Sequence, residues 1–368
     1  MRLFPPLRED PLAELFHTHP PAGEPWAWVL CRRIWYAEGL ARRLLTEPLT
    51  PGLSDWIEQE LSTLRHELAQ LKQRYPFADF GQRGASPAEQ AALRVLQGGS
   101  ASELQALYRT YGYGIYAEHT AFLYDRGMVP VPHPDPARFS DLVGYTRQLQ
   151  TLRQHVEGFL EGKEAVPVLL YGARGSGKST AVKALRTEYS PRGLRLVEVL
   201  PDSLDQLPAL LTLLAPLPHR FVLYLDDLAF SSDDERFHKL KALLEGAVYE
   251  RPPNVLVVAT SNRRNLVREQ WSDRPEPNAP DPASWDTLQD KLALADRFGL
   301  VLTFPPFDQP LYLEAVAHIL GRPLDEATRQ AALRFALEGR GFSGRTARQF
   351  AATQSPLKPG CAPGQRKG

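Results

Sequence analysis

Residues 169–180 read LLYGARGSGKST. Gly172, Gly177, Lys178 and Ser179 satisfy the spacing G-x-x-x-x-G-K-[ST], and Gly175, Ser176 and Thr180 complete the same loop. The spacing has a mechanical reason. Glycines let successive backbone N–H groups turn inward around phosphate oxygens, and a helix starting there presents the positive end of its dipole to them. A lysine at this position neutralises the β- and γ-oxygens, and the next hydroxyl ligates Mg²⁺. The context agrees with the motif. VPVLLY before it has the apolar continuity of a buried strand, and TAVKALRTEY after it reads as a helix.

A phosphate cradle of this kind needs an acid at the end of a neighbouring strand. RFVLYLDDLAF supplies one, an apolar run that ends in Asp226 and Asp227. Asp226 is placed to hold a Mg²⁺-bound water, and Asp227 stands where a water-activating carboxylate is expected. LRLVEVL, NVLVVATSN and LVLTF are further strand-like runs, with helical patterns between them. Strands alternating with helices predict a parallel sheet covered on both faces. Asn262 ends one of these strands. There a polar side chain can orient an attacking water, although asparagine at a strand end is often only a turn former. Arg297 closes a helix just before the last strand, and Arg345 opens a helix whose expected cap is Ser343.

Upstream the texture changes. Residues 1–132 read as helical, with SDWIEQELSTLRHELAQLKQRY carrying Ile57, Leu61, Leu64, Leu68 and Leu71 on one stripe. Ser54 or Asp55 is the expected start of that helix. Ser86 with Glu89, and Ser100 with Glu103, form the spacing of capping boxes. Trp26, Trp28 and Trp35 sit at near-helical spacing, which favours a core or docking surface over base stacking. The proline-rich VPVPHPDP, residues 129–136, marks the domain boundary. The expected organisation is an N-terminal helical domain (1–132), an α/β core (135–306), a helical lid (307–352) and a disordered basic tail (353–368). The proline-rich stretch around 270–292 is expected to be an exposed loop.

Bulk properties exclude some functions. The 368 residues carry 43 basic and 43 acidic side chains, a net charge of zero, so no global field draws in nucleic acid or an anionic membrane. Two cysteines, Cys31 and Cys361, match no metal spacing and imply reduced thiols. No apolar run reaches membrane-span length, since stretches such as PALLTLLAPL are short and broken by proline. The N-terminus lacks the apolar segment of a secretory signal, so a soluble, cytoplasmic protein is expected.

Taken in order, GARGSGKST, VLYLDDLAF, VVATSNRRN, ADRFG and GFSGRTARQF resemble an AAA+ ATPase over residues 135–352. In detail they are similar to a bacterial AAA+ family catalogued only as a domain of unknown function. The resemblance implies ATP and Mg²⁺ as ligands and an AAA+ P-loop three-layer α/β core with a C-terminal helical lid. It gives Asn262 the first-sensor role, Arg297 the arginine-finger role and Arg345 the second-sensor role. Phe139 to Tyr145 resembles the segment that lies against adenine, with Val143 and Gly144 as its contacts. It further implies self-association and a macromolecular partner, protein or nucleic acid, with no membrane. Arg263 and Arg264 are basic residues beside the first sensor, read as a subunit-interface pair before a nucleic-acid contact.

Two features depart from the family pattern. The second acid of the strand-end pair is Asp227, one methylene shorter than the usual glutamate. LPDSLDQLPAL, after the second core strand, lacks the aromatic-hydrophobic-Gly loop of protein-threading relatives. The expected function is a Mg²⁺-dependent, oligomeric ATPase that remodels a partner, with a slow-turnover ATP-gated switch or scaffold as the alternative. A small-molecule kinase fits less well, because it leaves the placement of Arg297 and Arg345 unexplained.

Overall fold

Side chains alternate along each central strand, and that alternation builds the layers. In β5 (Arg220–Leu225), Phe221, Leu223 and Leu225 enter one apolar cluster while Val222 and Tyr224 enter another on the opposite face. The computed structural model describes residues 25–74, 84–228, 240, 244, 251–262 and 297–354. Among these, one seven-stranded sheet has the order β2-β1-β4-β5-β6-β3-β7. The other strands are β1 (Ala121–Tyr124), β2 (Met128–Pro130), β3 (Val168–Gly172), β4 (Leu194–Val199), β6 (Val255–Ser261) and β7 (Leu300–Phe304). β1 and β2 form an antiparallel hairpin, and the remaining pairings are parallel.

This is the layered α/β core around a mostly parallel sheet that the sequence leads one to expect. The five strand runs read from sequence are β3 to β7. β3 to β6 are legible because parallel strands buried on both faces appear as near-continuous apolar runs, whereas β7, at the sheet edge, leaves Val301 exposed. β3 lies between β6 and β7, yet the chain leaves it for β4, on the far side of β5. The crevice outside the carboxyl ends of such strands is where ligands collect in open α/β sheets.

One face of the sheet carries the helices Thr146–Leu160 and Lys178–Tyr189, packed through Leu152, Val156, Phe159, Val182 and Leu185. The opposite face carries the helix Leu207–Leu214 and the N-terminal helices Pro25–Trp35, Glu38–Thr46, Pro51–Arg74, Pro87–Gly98 and Ala101–Tyr111. Trp26, Trp28 and Trp35 are buried there, as is the whole Ile57–Leu71 stripe. Both capping boxes form, with Glu89 N–H to Ser86 Oγ and Glu103 N–H to Ser100 Oγ at 3.3 Å. The lid is three helices, Gln309–Leu320, Glu326–Leu337 and Gly344–Gln354, around Tyr312, Val316, Ala332 and Phe350.

Two sequence expectations are corrected. The long helix begins at Pro51 rather than at Ser54 or Asp55. Thr50 supplies the cap, with Oγ1 3.4 Å from the Leu53 N–H, and proline at the first helical position has no N–H to leave unpaired. The second concerns residues 121–130, which read as part of a helical stretch. They form β1 and β2, so the sheet starts ahead of the proline-rich break. Three and four residues are too few to register as periodic strands. The 270–292 loop, Arg263, Arg264, Cys361 and residues 355–368 of the tail lie outside the described residues.

Candidate functional site

The loop after β3 closes on itself. Gly172 has φ of 145°, and a Cβ there would stand 1.9 Å from the Phe304 carbonyl oxygen of the neighbouring strand. Gly177 has φ of 94°, and a Cβ there would stand 2.5 Å from Leu142 Cδ2. Glycine is therefore required at both, for backbone angle and for space. The helix Lys178–Tyr189 starts immediately afterwards, with its first N–H groups facing the loop.

Lys178 is largely buried, and its ammonium donates to the carbonyls of Gly172 at 2.9 Å and Ala173 at 2.8 Å, and to Asn262 Oδ1 at 3.2 Å. Burial lowers its pKa, and the nearby charges of Asp227 and Asp226 oppose that shift. On the other side of the site, Ser179 Oγ donates to Asp226 Oδ1 at 3.1 Å. Burial by itself would push the Asp226 carboxyl up, but hydrogen bonds, foremost from Thr260, outweigh it and hold the pKa below the usual carboxylate value. Asp227 sits beside it with φ of 47°, and the Asn262 amide donates to its carboxylate. Asn262 thus joins the buried cation to the second acid, one end of its amide on each.

These groups line a cavity of about 460 Å³. Gly175, Ser176, Gly177, Lys178, Ser179, Thr180, Asp226, Asp227, Asn262, Val143 and Arg345 all face it. Gly172 lies just behind, contributing its carbonyl to Lys178. Gly144 is outside the lining, packed against Leu311 of the lid. Arg297 is also outside. It precedes β7 by three residues, and β7 runs parallel to β3 with Val168 beside Leu300 and Gly172 beside Phe304. Arg297 therefore lies beyond the amino end of β7, whereas the phosphate loop leaves the carboxyl end of β3, and the strand between those ends is roughly 13 Å long at ~3.3 Å per residue.

Several lining residues carried no sequence signal of their own. Thr260 lies one turn of the pleat before Asn262, and its role emerges only where β6 pairs with β5. Phe307, Ala315 and Ile319 come from the lid and give the cavity an apolar wall with Leu142 and Val143. Arg348 follows Arg345 by three residues on the lid helix and faces the same cavity, a relation that helical spacing does encode. The lid also touches the loop directly, since the Gly344 N–H donates to the Gly175 carbonyl at 3.0 Å.

The arrangement fits a nucleoside triphosphate with a divalent cation. The buried Ser176 hydroxyl has no hydrogen-bond partner among the described residues, so the loop holds a polar group left for a ligand. Ser179 and Asp226 bring a hydroxyl and a carboxylate together at the mouth of that loop, a hard-oxygen donor set suited to Mg²⁺. The apolar wall under the lid has the character of a base pocket.

Residues 117–356 match the model of a family described as "Protein of unknown function (DUF815)", and the chain belongs to that family. A curated relative, the replication factor C large subunit of Methanococcus vannielii, is 34% identical over 55 residues, 15% of this chain and 11% of its own length. The chain thus spans about a tenth of the curated relatives it matches. Among solved structures, the Thermotoga maritima RuvB Holliday junction branch migration motor aligns over 59% of this chain and 72% of its own, at 14% identity and TM-score 0.35. The Aeropyrum pernix Orc1 protein in complex with DNA aligns over 58% of this chain and 62% of its own, at 15% identity and TM-score 0.41.

Proposed function

We propose that this member of the family is a Mg²⁺-dependent ATPase whose site is completed by a second copy of the chain. One observation carries the reading: the cavity gathers Lys178, Asp226, Asp227 and Asn262, whereas Arg297 lies at the far end of the sheet. In hydrolysis Asp227 accepts a proton from the attacking water, whose oxygen bonds to the γ-phosphorus. The bond from that phosphorus to the bridging oxygen breaks, leaving ADP and phosphate. Asn262 orients the water, and Lys178 balances charge on the phosphate oxygens. Ser179 and Asp226 would hold Mg²⁺, which would supply positive charge to the triphosphate.

Arg297 of a neighbouring copy supplies the remaining positive charge, a contribution worth roughly 10³–10⁵ in rate for related NTPases. Arg345, on the lid helix bonded to the phosphate loop, passes the nucleotide state to the lid. In this reading the N-terminal helices engage a macromolecular partner, protein or nucleic acid, in the cytoplasm. Among the described residues no helix is long and apolar enough to cross a membrane.

The test is turnover per subunit measured across protein concentration for the wild type and Arg297→Ala. The expected result is a rise with concentration in the wild type and a low, flat rate in the variant. A wild-type rate independent of concentration, and equal in the variant, refutes the shared site. Stimulation of turnover by DNA, RNA or unfolded protein, tested side by side, identifies the partner class.

A second reading, a slow ATP-gated switch, draws support from Asp227, which is shorter than glutamate and is tied up by the Asn262 amide. Asp227→Glu separates the two. A large rise in turnover favours the switch, and no rise or a loss favours the motor.

A further inference from the structure

Thr260 and Ser261 end β6 and Asn262 follows it, and each of the three grips a different part of the acidic turn beside it. The Thr260 hydroxyl donates to Asp226 Oδ1 at 2.6 Å and accepts the Asp227 N–H at 2.9 Å. Its carbonyl accepts the Leu228 N–H at 2.8 Å. The Ser261 hydroxyl donates to the Leu228 carbonyl at 2.8 Å, and Asn262 donates to the Asp227 carboxylate.

Asp227 needs such support because its φ of 47° is left-handed. That region costs most L-residues roughly 1–2 kcal/mol, and aspartate is among the few that visit it, through local hydrogen bonds of a short polar side chain. Thr260 is 1% exposed, so no water competes for its hydroxyl. The single proton goes to one acid and a lone pair goes to the backbone of the next. A valine of the same shape makes neither bond.

We propose that Thr260 is a positioning residue for the hydrolytic step. Its hydroxyl fixes both the carboxylate that faces Ser179 and the left-handed turn that aims the second carboxylate into the cavity. The proposal rests on the nucleotide-site reading above. It also accounts for aspartate in place of glutamate at 227, since aspartate is the acid better suited to left-handed backbone.

The experiment uses the full chain, a fluorescent ATP analogue, and two variants, Thr260→Val and Thr260→Ser. Valine loses the hydroxyl and keeps the shape, and serine keeps the hydroxyl. Thr260→Val is expected to leave nucleotide affinity in EDTA within about twofold, since the loop donors are untouched. It raises the Mg²⁺ concentration for half-maximal turnover, and lowers kcat, by roughly tenfold or more, the scale of a lost hydrogen bond to a charged group. KM for the magnesium nucleotide stays within about threefold, and Thr260→Ser recovers most of both losses.

A valine variant equal to wild type in Mg²⁺ dependence and kcat overturns the proposal. So does a serine variant as impaired as valine. Should the valine chain fail to fold, Thr260→Ala is read in the same way. A wild-type chain that binds no magnesium nucleotide overturns the site reading and this proposal together. Wild-type binding with an indistinguishable valine variant overturns this proposal alone.

Discussion

The N-terminal helical layer and the carboxyl edge of the sheet are held together by different physics. In the layer, Trp26, Ile34, Ile57, Leu61, Leu104 and Tyr108 are all within 1% exposure of complete burial, and the bonds between helices, such as the Tyr108 hydroxyl to the Ile34 carbonyl and the Arg65 guanidinium to the Leu96 carbonyl, are added to that apolar packing. Removing one side chain there leaves many neighbours still in contact. At the carboxyl edge a few polar atoms hold one another in place: Thr260 on Asp226 and the Asp227 N–H, Asn262 on Asp227, Lys178 on two carbonyls and Asn262. Apolar packing tolerates substitution because it is summed over area, whereas a hydrogen-bonded site fails atom by atom. Damage to the first region should appear as lost stability, and damage to the second as lost chemistry in a folded protein.

The largest expected effect is that of Arg297→Ala, at a residue outside both regions of its own chain that in the proposed reading completes the carboxyl edge of a neighbouring copy. Turnover per subunit in the assembled protein should fall by roughly 10³-fold or more, with the urea midpoint unchanged. A variant that lost stability in proportion would erase the contrast. Trp26→Ala is the converse. It should destabilise the chain by about 3–5 kcal/mol, seen as a lowered denaturant midpoint, while nucleotide affinity of the folded fraction stays the same.

A smaller effect lies where the helical layer meets the amino end of the sheet, just before β5. His219 is 2% exposed and pressed against Gly112 at the end of helix Ala101–Tyr111. Burial, and then the nearby Arg195 charge, push its pKa well below 6.5. As pH falls through 6.5 the unfolded chain takes up the proton first, so stability is complete above that value and drains away below it. The expected loss approaches about 1.4 kcal/mol per pH unit until the folded pKa is reached. Urea midpoints at descending pH should show the slope, and His219→Phe should flatten it. The smallest effect is at the caps. Ser86→Ala or Ser100→Ala should each cost about 1 kcal/mol with turnover unaffected.

The division also governs what the sequence could disclose. β3 to β6 declare themselves because strands covered on both faces are mostly apolar, and the edge strand β7 does so as a short apolar run before the lid. The phosphate loop declares itself because its residues are contiguous. β1 and β2 do not, since Ala121–Tyr124 and Met128–Pro130 are too short for a period and follow a helical stretch without a break in composition. Thr260 was likewise hidden. Nothing around it in the chain marks a hydroxyl that acts on two aspartates, because the relation exists only once Leu225 pairs with Ala259. Arg348 falls between these cases, legible from Arg345 by helical spacing alone.

The shared apolar face has a further consequence, for the chain as it is made. The helices of residues 25–111 complete their burial against Val197, Phe221 and Val255, all synthesised later. At ribosomal rates of about 5–20 residues per second, the delay is on the order of ten seconds. Through that interval the nascent helices carry tryptophan and leucine surfaces with no sheet to cover them. Holding such surfaces apart is the work of trigger-type chaperones, and expression without them should yield aggregates that begin at the amino-terminal layer.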